Sequence, residues 1–246
     1  MQRLGILIGF FVLALGAGTG TGWASPILVI QQGANPAVTV NSSLDGLVQY
    51  NGAVGTYDIN VTVGFSSATL YEIDMDLNSI DATVKNGLAD PVGGPLTITM
   101  YDTDFQFPNR MGSEVGVFGF VGGTAPANTS VSFQSWVNPD NAPLGSGGEI
   151  PAGSLAVYTP IMTVASTGSP MAFSASGQTA FIETGPFSLF SQATFDIGQF
   201  TSGARTISFD QALFVPVPEP ISLTLLGSGL VGLAAMRRRG LGQNLA

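Results

Sequence analysis

Residues 57–65 read YDINVTVGF, and residues 71–78 read YEIDMDLN. In both stretches apolar side chains alternate with polar ones. Successive side chains of a β-strand point to opposite faces of a sheet, so a period of two is typical of a strand with one buried face. Amphipathic stretches with the helical period of about 3.6 residues are almost absent from the middle of the chain. The sequence therefore predicts an all-β fold.

Further segments repeat this alternation, and residues that favour turns separate them. We expect strands near 96–100, 115–121, 131–137, 154–164, 178–183, 187–197 and 205–215. Asn86-Gly87, Gly93-Gly94-Pro95 and Asn138-Pro139-Asp140 lie between strands, and these residue types adopt the backbone angles that tight turns need. About a dozen short strands fit a two-sheet antiparallel sandwich, and a jelly-roll order is one arrangement that such a sandwich can take.

The strand-rich residues 25–214 are expected to form one body. Within it, residues 26–43 fit either an edge strand or a loosely held arm. The Gly- and Pro-rich stretch 139–153 fits a long surface loop better than a linker, because the strand pattern resumes on both sides of it. Separate segments, residues 1–24 and 215–246, flank the body.

Residues 1–24 have the features of a secretory signal peptide. Arg3 supplies the positive charge, residues 4–15 are apolar, and Gly22 and Ala24 are small residues at the two positions that a signal peptidase reads. We therefore expect passage through the Sec translocon and cleavage by signal peptidase between Ala24 and Ser25.

The segment 215–246 has three parts. Val217-Pro218-Glu219-Pro220 is expected to be extended, because proline fixes φ and lacks an N–H donor. Residues 221–236 are uncharged, and as a helix they would rise about 24 Å, slightly less than a hydrocarbon core of about 30 Å. Local bilayer thinning can close that difference. Arg237-Arg238-Arg239 would stay cytoplasmic by the positive-inside rule, so we expect a transmembrane helix in the inner membrane.

This segment, with its Pro-Glu-Pro element, Leu/Gly-rich span and basic end, closely resembles the PEP-CTERM sorting segment of exported bacterial proteins. The resemblance covers residues 215–246. It implies recognition by an exosortase, a membrane-embedded processing enzyme, and cleavage near Pro218-Glu219-Pro220. It also implies release to the cell surface or to an extracellular matrix of exopolysaccharide. The body is similar to other proteins with this tag at residues 76–79 and 96–105, which implies no assigned activity.

The composition excludes several classes of function. The chain has 7 Lys and Arg, 16 Asp and Glu, and a net charge of −9. Outside the two flanking segments the basic residues are Lys85, Arg110 and Arg205. Nucleic-acid binding needs clustered Lys and Arg, so we expect no such partner. Without Cys or His, the chain cannot build a Ser-His-Asp triad, a thiolate nucleophile or a His-based zinc site. We expect no enzymatic activity.

Two groups of carboxylates are candidate calcium ligands. Glu72, Asp74 and Asp76 occupy alternate positions and share one strand face, and Asp102 and Asp104 repeat this spacing. If the two groups meet across strands, their oxygens suit Ca²⁺. The alternative is a solvated outer sheet face, with Ile73 and Met75 directed into the core, and this explains the alternation by itself. No other cofactor is expected.

Two further groups of residues are candidates for a sugar-binding platform and for a glycosidase site. Trp136 and Tyr101, with Phe105 and Phe107 nearby, could stack on a sugar ring, although aromatic residues more commonly fill sandwich cores. A glycosidase needs two opposed carboxylates. Glu114, Glu149 and Glu183 could supply them, but their spacing gives no support.

The sequence therefore favours an exported, non-enzymatic protein of the cell surface or of a biofilm-associated extracellular matrix. The alternative is a carbohydrate- or calcium-binding, lectin-like module. An exported hydrolase is the least favoured.

Overall fold

The computed structural model describes residues 25–43, 46–68, 72–84, 93–107, 111–158, 161–164, 169–198, 200, 203–216 and 228. The strands in these residues are β1 (Ile27–Gln32), β2 (Val38–Asn41), β3 (Leu47–Val54), β4 (Tyr57–Ala68), β5 (Glu72–Val84), β6 (Leu96–Phe105), β7 (Glu114–Ala125), β8 (Thr129–Asn138), β9 (Leu155–Tyr158), β10 (Ile161–Val164), β11 (Met171–Ile182), β12 (Phe187–Ile197) and β13 (Arg205–Pro216). The predicted all-β fold is confirmed. The segment predicted as one strand over 154–164 forms two, β9 and β10.

The strands form two antiparallel sheets. The front sheet has the order β10-β8-β12-β6-β1-β2, with β9 also paired to β8. The back sheet has the order β11-β7-β13-β5-β4-β3. Because a sheet of alternating strands has one apolar face, the two sheets bury those faces against each other. The predicted two-sheet antiparallel sandwich is confirmed.

The order of strands within the sheets is that of a jelly roll. In the front sheet β12 lies between β8 and β6, and in the back sheet β13 lies between β7 and β5. Each of the last two strands is thus inserted into one sheet between two strands that come earlier in the chain, as in two interleaved Greek keys. Strands β1 to β4 extend both sheets beyond β6 and β5.

The amino-terminal residues of the body are held firmly in the front sheet. Strand β1 pairs with β6 from Ile27 opposite Tyr101 to Gln32 opposite Leu96, and it pairs with β2 on its other side. The prediction of an edge strand or loose arm over 26–43 is therefore correct only for β2. Strand β1 is an interior strand, paired with β6 on one side and with β2 on the other from Ile27 onward.

Aromatic and aliphatic side chains from both sheets fill the space between the layers. In β5 the inward residues Ile73, Met75 and Leu77 are fully buried. Phe133 of the front sheet meets Phe209 of the back sheet edge to face, with ring centroids 5.1 Å apart. Tyr57 of the back sheet meets Phe195 of the front sheet at 5.9 Å. These contacts lock the two layers together.

Several of the sequence predictions concern parts of the chain that lie outside the described residues. These are the signal peptide over 1–24, the motif 217–220, the basic residues 237–239, and the apolar span 221–236 apart from Ser228, which is helical. In the part of the chain that the structure describes, no helix is long and apolar enough to cross a membrane.

Candidate functional site

The outer face of the front sheet carries a row of three aromatic side chains, here called the aromatic row. Tyr101 of β6 lies opposite Phe190 of β12 in the strand register, and Phe190 lies opposite Trp136 of β8. The rings of Tyr101 and Phe190 stack, with centroids 5.8 Å apart and planes inclined by 14°. Phe190 is buried, whereas Tyr101 and Trp136 are half-buried. The structure thus brings both predicted platform residues into one row, and their role in binding stays a prediction.

Phe105 and Phe107, which were expected near this platform, belong to the core. Their rings pack on Phe187 with centroids 5.9 and 6.0 Å away. Both side chains are almost fully buried, so neither is available to stack on a ligand.

Uncharged polar side chains lie beside the aromatic row on the same face. Gln192 of β12 lies opposite Thr99 and Gln134, and its Nε2 donates to Thr99 Oγ1 at 3.0 Å. In the following row Thr194 lies opposite Thr97 and Ser132, and the two threonine hydroxyls are 3.2 Å apart. We call these six residues the hydroxyl–amide rows. They combine hydrogen-bond donors and acceptors that carry no formal charge.

The β8–β9 loop (residues 139–154) is fixed to the same side of the sheet. Asn138 Oδ1 accepts from the backbone N–H of Asp140 and Ala142 at 3.0 and 3.1 Å, and Asn138 Nδ2 donates to Ala152 O at 3.2 Å. Ser188 Oγ of β12 donates to Ala142 O at 2.9 Å. Because one buried amide joins both ends of the loop, the loop forms an ordered border beside the aromatic row.

A buried carboxylate lies between the sheets, and we call its surroundings the Asp102 pocket. Asp102 is only 3% exposed. Its Oδ2 accepts from the backbone N of Ser25 at 2.9 Å and from the hydroxyl of Ser66, and its Oδ1 accepts from the backbone N of Thr103 at 2.8 Å. Burial raises the pKa of the Asp102 carboxyl above its usual value, although these hydrogen bonds oppose the rise.

Asp104 does not share a face with Asp102, contrary to the expectation from their spacing. Asp104 has a φ of 65°, and the register between β6 and β12 shifts at this point. The extra residue forms a β-bulge, which turns Asp104 outward. There it is exposed, and Asn141 of the β8–β9 loop both accepts from its backbone N at 2.8 Å and donates to its Oδ1 at 2.7 Å.

The other predicted calcium ligands, Glu72, Asp74 and Asp76 of β5, line the outer face of the back sheet. We call these three residues the acidic stripe. Burial, followed by the neighbouring Glu72 and Asp76, raises the pKa of Asp74 to about 6. The pKa of Asp76 is raised mainly by burial and also by Asp210, while the amide of Asn78, which donates to Asp76 Oδ2 at 2.7 Å, opposes the rise. The stripe thus lies opposite the buried face of β5, as the alternative interpretation expected.

The two groups of predicted ligands stay apart, because the acidic stripe lies outside the back sheet and Asp102 lies between the sheets. Within the described ranges no three Asp or Glu side chains converge in a way that could hold a metal ion. The three glutamates weighed for a hydrolase have different environments. Glu114 and Glu149 are exposed, whereas Glu183 is buried and its Oε1 accepts from Phe107 N at 2.8 Å.

Comparison with known proteins identifies the end of the chain. Residues 216–239 match the PEP-CTERM protein-sorting motif, which confirms the resemblance noted in the sequence. The motif indicates an exported protein that is anchored briefly in the membrane, processed by an exosortase and then released. No curated protein matches the chain.

Solved structures give partial superpositions on the body. The adhesin domain of Epf from Streptococcus pyogenes has a TM-score of 0.32 at 9% identity, over 81% of this chain and 64% of that chain. The K3 adhesin domain of Lys-gingipain from Porphyromonas gingivalis has a TM-score of 0.30 at 9% identity, over 55% and 72%. The VP2 subviral particle of infectious bursal disease virus has a TM-score of 0.33 at 11% identity over 82% of this chain, which spans about half, 54%, of that chain. Similarity of this degree carries no argument about function.

Sequence reasoning missed two features of these sites. Phe190 completes the aromatic row, but only the pairing of β12 with both β6 and β8 reveals it. The contact between Ser25 and Asp102 joins residues 77 positions apart. The position of Ser25 directly after the predicted signal-peptide cleavage site was the one available signal.

Proposed function

We propose, from the sorting motif and its position, that the chain is an exported, non-enzymatic protein of the cell surface or extracellular matrix. The observation that carries this proposal is the junction between body and motif. Strand β13 ends at Pro216, and the matched motif begins at residue 216. Cleavage near Pro218-Glu219-Pro220 would therefore release all of the described strands as one folded sandwich.

The proposed route has four steps. The Sec translocon exports the chain, and signal peptidase cuts between Ala24 and Ser25. The apolar span 221–236 then holds the body at the inner membrane, with residues 237–239 on the cytoplasmic side. An exosortase cleaves at the motif, and the acidic sandwich passes to the surface or into exopolysaccharide.

The body's chemistry supports a non-enzymatic role. The chain lacks His and Cys, and the glutamates weighed for hydrolysis lie in separate environments. An excess of acidic residues keeps an exported domain soluble and dispersed.

Fractionation of the host, with the protein detected by an antibody to the body, tests this route. The natural chain is expected mainly in the surface and extracellular fractions. Glu219→Ala removes the charged residue of the motif and is expected to leave the chain in the membrane fraction. Glu149→Ala, which removes an exposed acid from the β8–β9 loop, is the matched control and should be released normally. Natural chain found intact in the cytoplasm would contradict the proposal.

A second candidate function, binding of a neutral polysaccharide, rests on the front sheet. Tyr101 and Trp136 are half-buried beside the hydroxyl–amide rows. Aromatic rings with a few uncharged donors and acceptors are suited to ligands that have both apolar faces and hydroxyl groups. Such binding would retain the released sandwich in an exopolysaccharide matrix, so the two functions are compatible.

A further inference from the structure

Among the residues that the structure describes, the carboxylate of the Asp102 pocket has no cationic hydrogen-bond partner. Its neighbours among the described residues are three neutral donors: the Ser25 N–H, the Ser66 hydroxyl and the Thr103 N–H. The titratable groups nearby are Asp104, which raises the Asp102 pKa by repulsion, and Tyr101. Burying a charged carboxylate without an opposite charge is costly. The pocket is thus electrostatically incomplete in the unprocessed chain.

The fold delivers one particular donor to this pocket. Ile27 pairs with Tyr101 at the start of β1, and Pro26 before it is buried. The chain is therefore held in place up to Ser25, whose backbone N lies 2.9 Å from Asp102 Oδ2. Ser25 itself is exposed.

We propose that the Asp102 pocket is the binding site for the new amino terminus that signal-peptide removal creates at Ser25. This inference rests on the proposed export and its cleavage site. In hydrolysis of the Ala24–Ser25 bond, one water supplies a hydroxyl group to the Ala24 carbonyl carbon and a hydrogen to the Ser25 nitrogen. Ala24 leaves as a carboxylate, and the Ser25 amine takes up a proton from solvent, because free α-amines have a pKa of about 8.

Cleavage changes the chemistry of this contact without moving its atoms. Before cleavage, Ser25 N is a neutral amide with one N–H. After cleavage it is an ammonium group with three N–H donors and a positive charge, located beside a buried carboxylate. A hydrogen bond between two ionised groups is stronger than one between neutral groups. The processed sandwich therefore gains an ion pair that the precursor cannot form, and the precursor is the less stable of the two.

Four purified chains test this proposal. The first is the chain from Ser25 to Ala246, released from a fusion by a protease that leaves Ser25 as the first residue. The second retains residues 21–24, which moves the ammonium group away from the pocket. The third and fourth are the same chains with Asp102→Asn. Detergent keeps the carboxy-terminal segment soluble in all four.

We expect the chain that begins at Ser25 to unfold at a temperature about 5 °C above that of the extended chain. With Asp102→Asn this difference should vanish, because the ammonium group loses its partner. Equal unfolding temperatures for the first two chains would overturn the proposal. A difference that persists unchanged with Asp102→Asn would also overturn it.

A second measurement covers the case in which Asp102→Asn does not fold. The rate at which acetic anhydride acetylates the terminal amine at pH 7 reports the protection of that amine. We expect the Ser25 amine to react at least about tenfold more slowly than the amine of the extended chain, because an ion pair raises the amine pKa. Ser66→Ala, which keeps the carboxylate, should retain this protection. Equal acetylation rates would overturn the proposal.

These outcomes are separate from those of the export proposal, because purified chains do not depend on cellular location. Sequencing the amino terminus of the protein from its host links the two. A terminus at Ser25 supports the proposal. Export with cleavage at another bond would leave the export proposal standing and overturn the role of the pocket.

Discussion

Tyr101 and Phe190 stack on the outer face of the front sheet with their ring planes only 14° apart. The two residues come from distant parts of the chain and meet because β12 is inserted beside β6. Phe190 is buried and thus supports the half-buried Tyr101 from one side. The stacked pair, together with Trp136, gives the front sheet a rigid aromatic surface.

If this surface binds neutral polysaccharide, removal of one of its rings should weaken binding and retention. We expect Tyr101→Ala to weaken binding to host exopolysaccharide by up to about tenfold, since a stacking contact contributes about 0.5–1.5 kcal/mol. Trp136→Ala should have a similar effect. The measurement is calorimetry or pull-down with purified exopolysaccharide.

The control for that experiment is Phe118→Ala. Phe118 is also half-buried and packs on Phe214 at a centroid distance of 6.3 Å, but it lies on the outer face of the back sheet. Binding should be unchanged in this variant. If the natural chain, Tyr101→Ala and Trp136→Ala all bind equally well, the aromatic row is excluded as the binding surface.

The contact of Phe133 with the back sheet predicts a large loss of stability when its ring is removed. Phe133 is fully buried, and its ring contacts Phe173 and Phe209, both at 5.1 Å. Phe133→Ala would leave a cavity between the sheets and should lower the free energy of unfolding by about 4 kcal/mol. Chemical denaturation measures this. Ile182→Ala, at a side chain that is 52% exposed, should change it by less than about 0.5 kcal/mol, and equal losses would contradict the layer assignment.

The acidic stripe predicts a pH dependence of stability. The pKa of Asp74 is about 6 in the folded chain and about 3.9 in an unfolded one. The folded chain therefore binds more protons between these values, and stability falls as pH rises from about 4 to about 6. Asp74→Asn removes this loss. It should raise the unfolding temperature by about 2 °C at pH 7.5 and leave it unchanged at pH 4.

Asp140→Asn removes an exposed carboxylate elsewhere and controls for the change in net charge. It should not reproduce the pH-dependent gain. An equal gain from Asp74→Asn at both pH values would show that ionisation of Asp74, whose pKa burial and the neighbouring carboxylates raise, is not its cause.

The geometry of the stripe also predicts a negative result with calcium. Alternate residues of one strand are about 6.6 Å apart, whereas Ca²⁺ needs several oxygens at about 2.4 Å. Glu72, Asp74 and Asp76 cannot all reach one ion from these positions. We expect millimolar Ca²⁺ to leave the unfolding temperature of the purified chain unchanged. A clear rise would show that other ligands complete a site.

The period of two predicted the buried face of β5 correctly as far as Leu77. It then fails, because Ser79 adopts a φ of 52° and its backbone N–H donates to Asp210 Oδ1 at 2.5 Å. This β-bulge returns Ile80 to the core one residue later than alternation requires. In the same way, the bulge at Asp104 places the Asp104 side chain on a different face of β6 from the Asp102 side chain. The alternation of apolar and polar residues therefore predicts the buried face of a strand only within segments that contain no bulge.

Strand partners were beyond the reach of the sequence for a different reason. Hydrophobic patterns fix which face of a strand is buried, but many pairings bury the same faces. The aromatic row depends on β12 lying between β6 and β8, and the Asp102 pocket depends on β1 pairing with β6. The sorting segment was predictable because it is local, with its signals adjacent in the chain.

The division of the chain into two targeting segments and a folded body can be tested by measuring the intact mass of the protein that its host releases. We expect the mass of a chain that begins at Ser25 and ends within or next to residues 217–220. A released protein that retains residues 221–246 unmodified, or that retains residues 1–24, would contradict it.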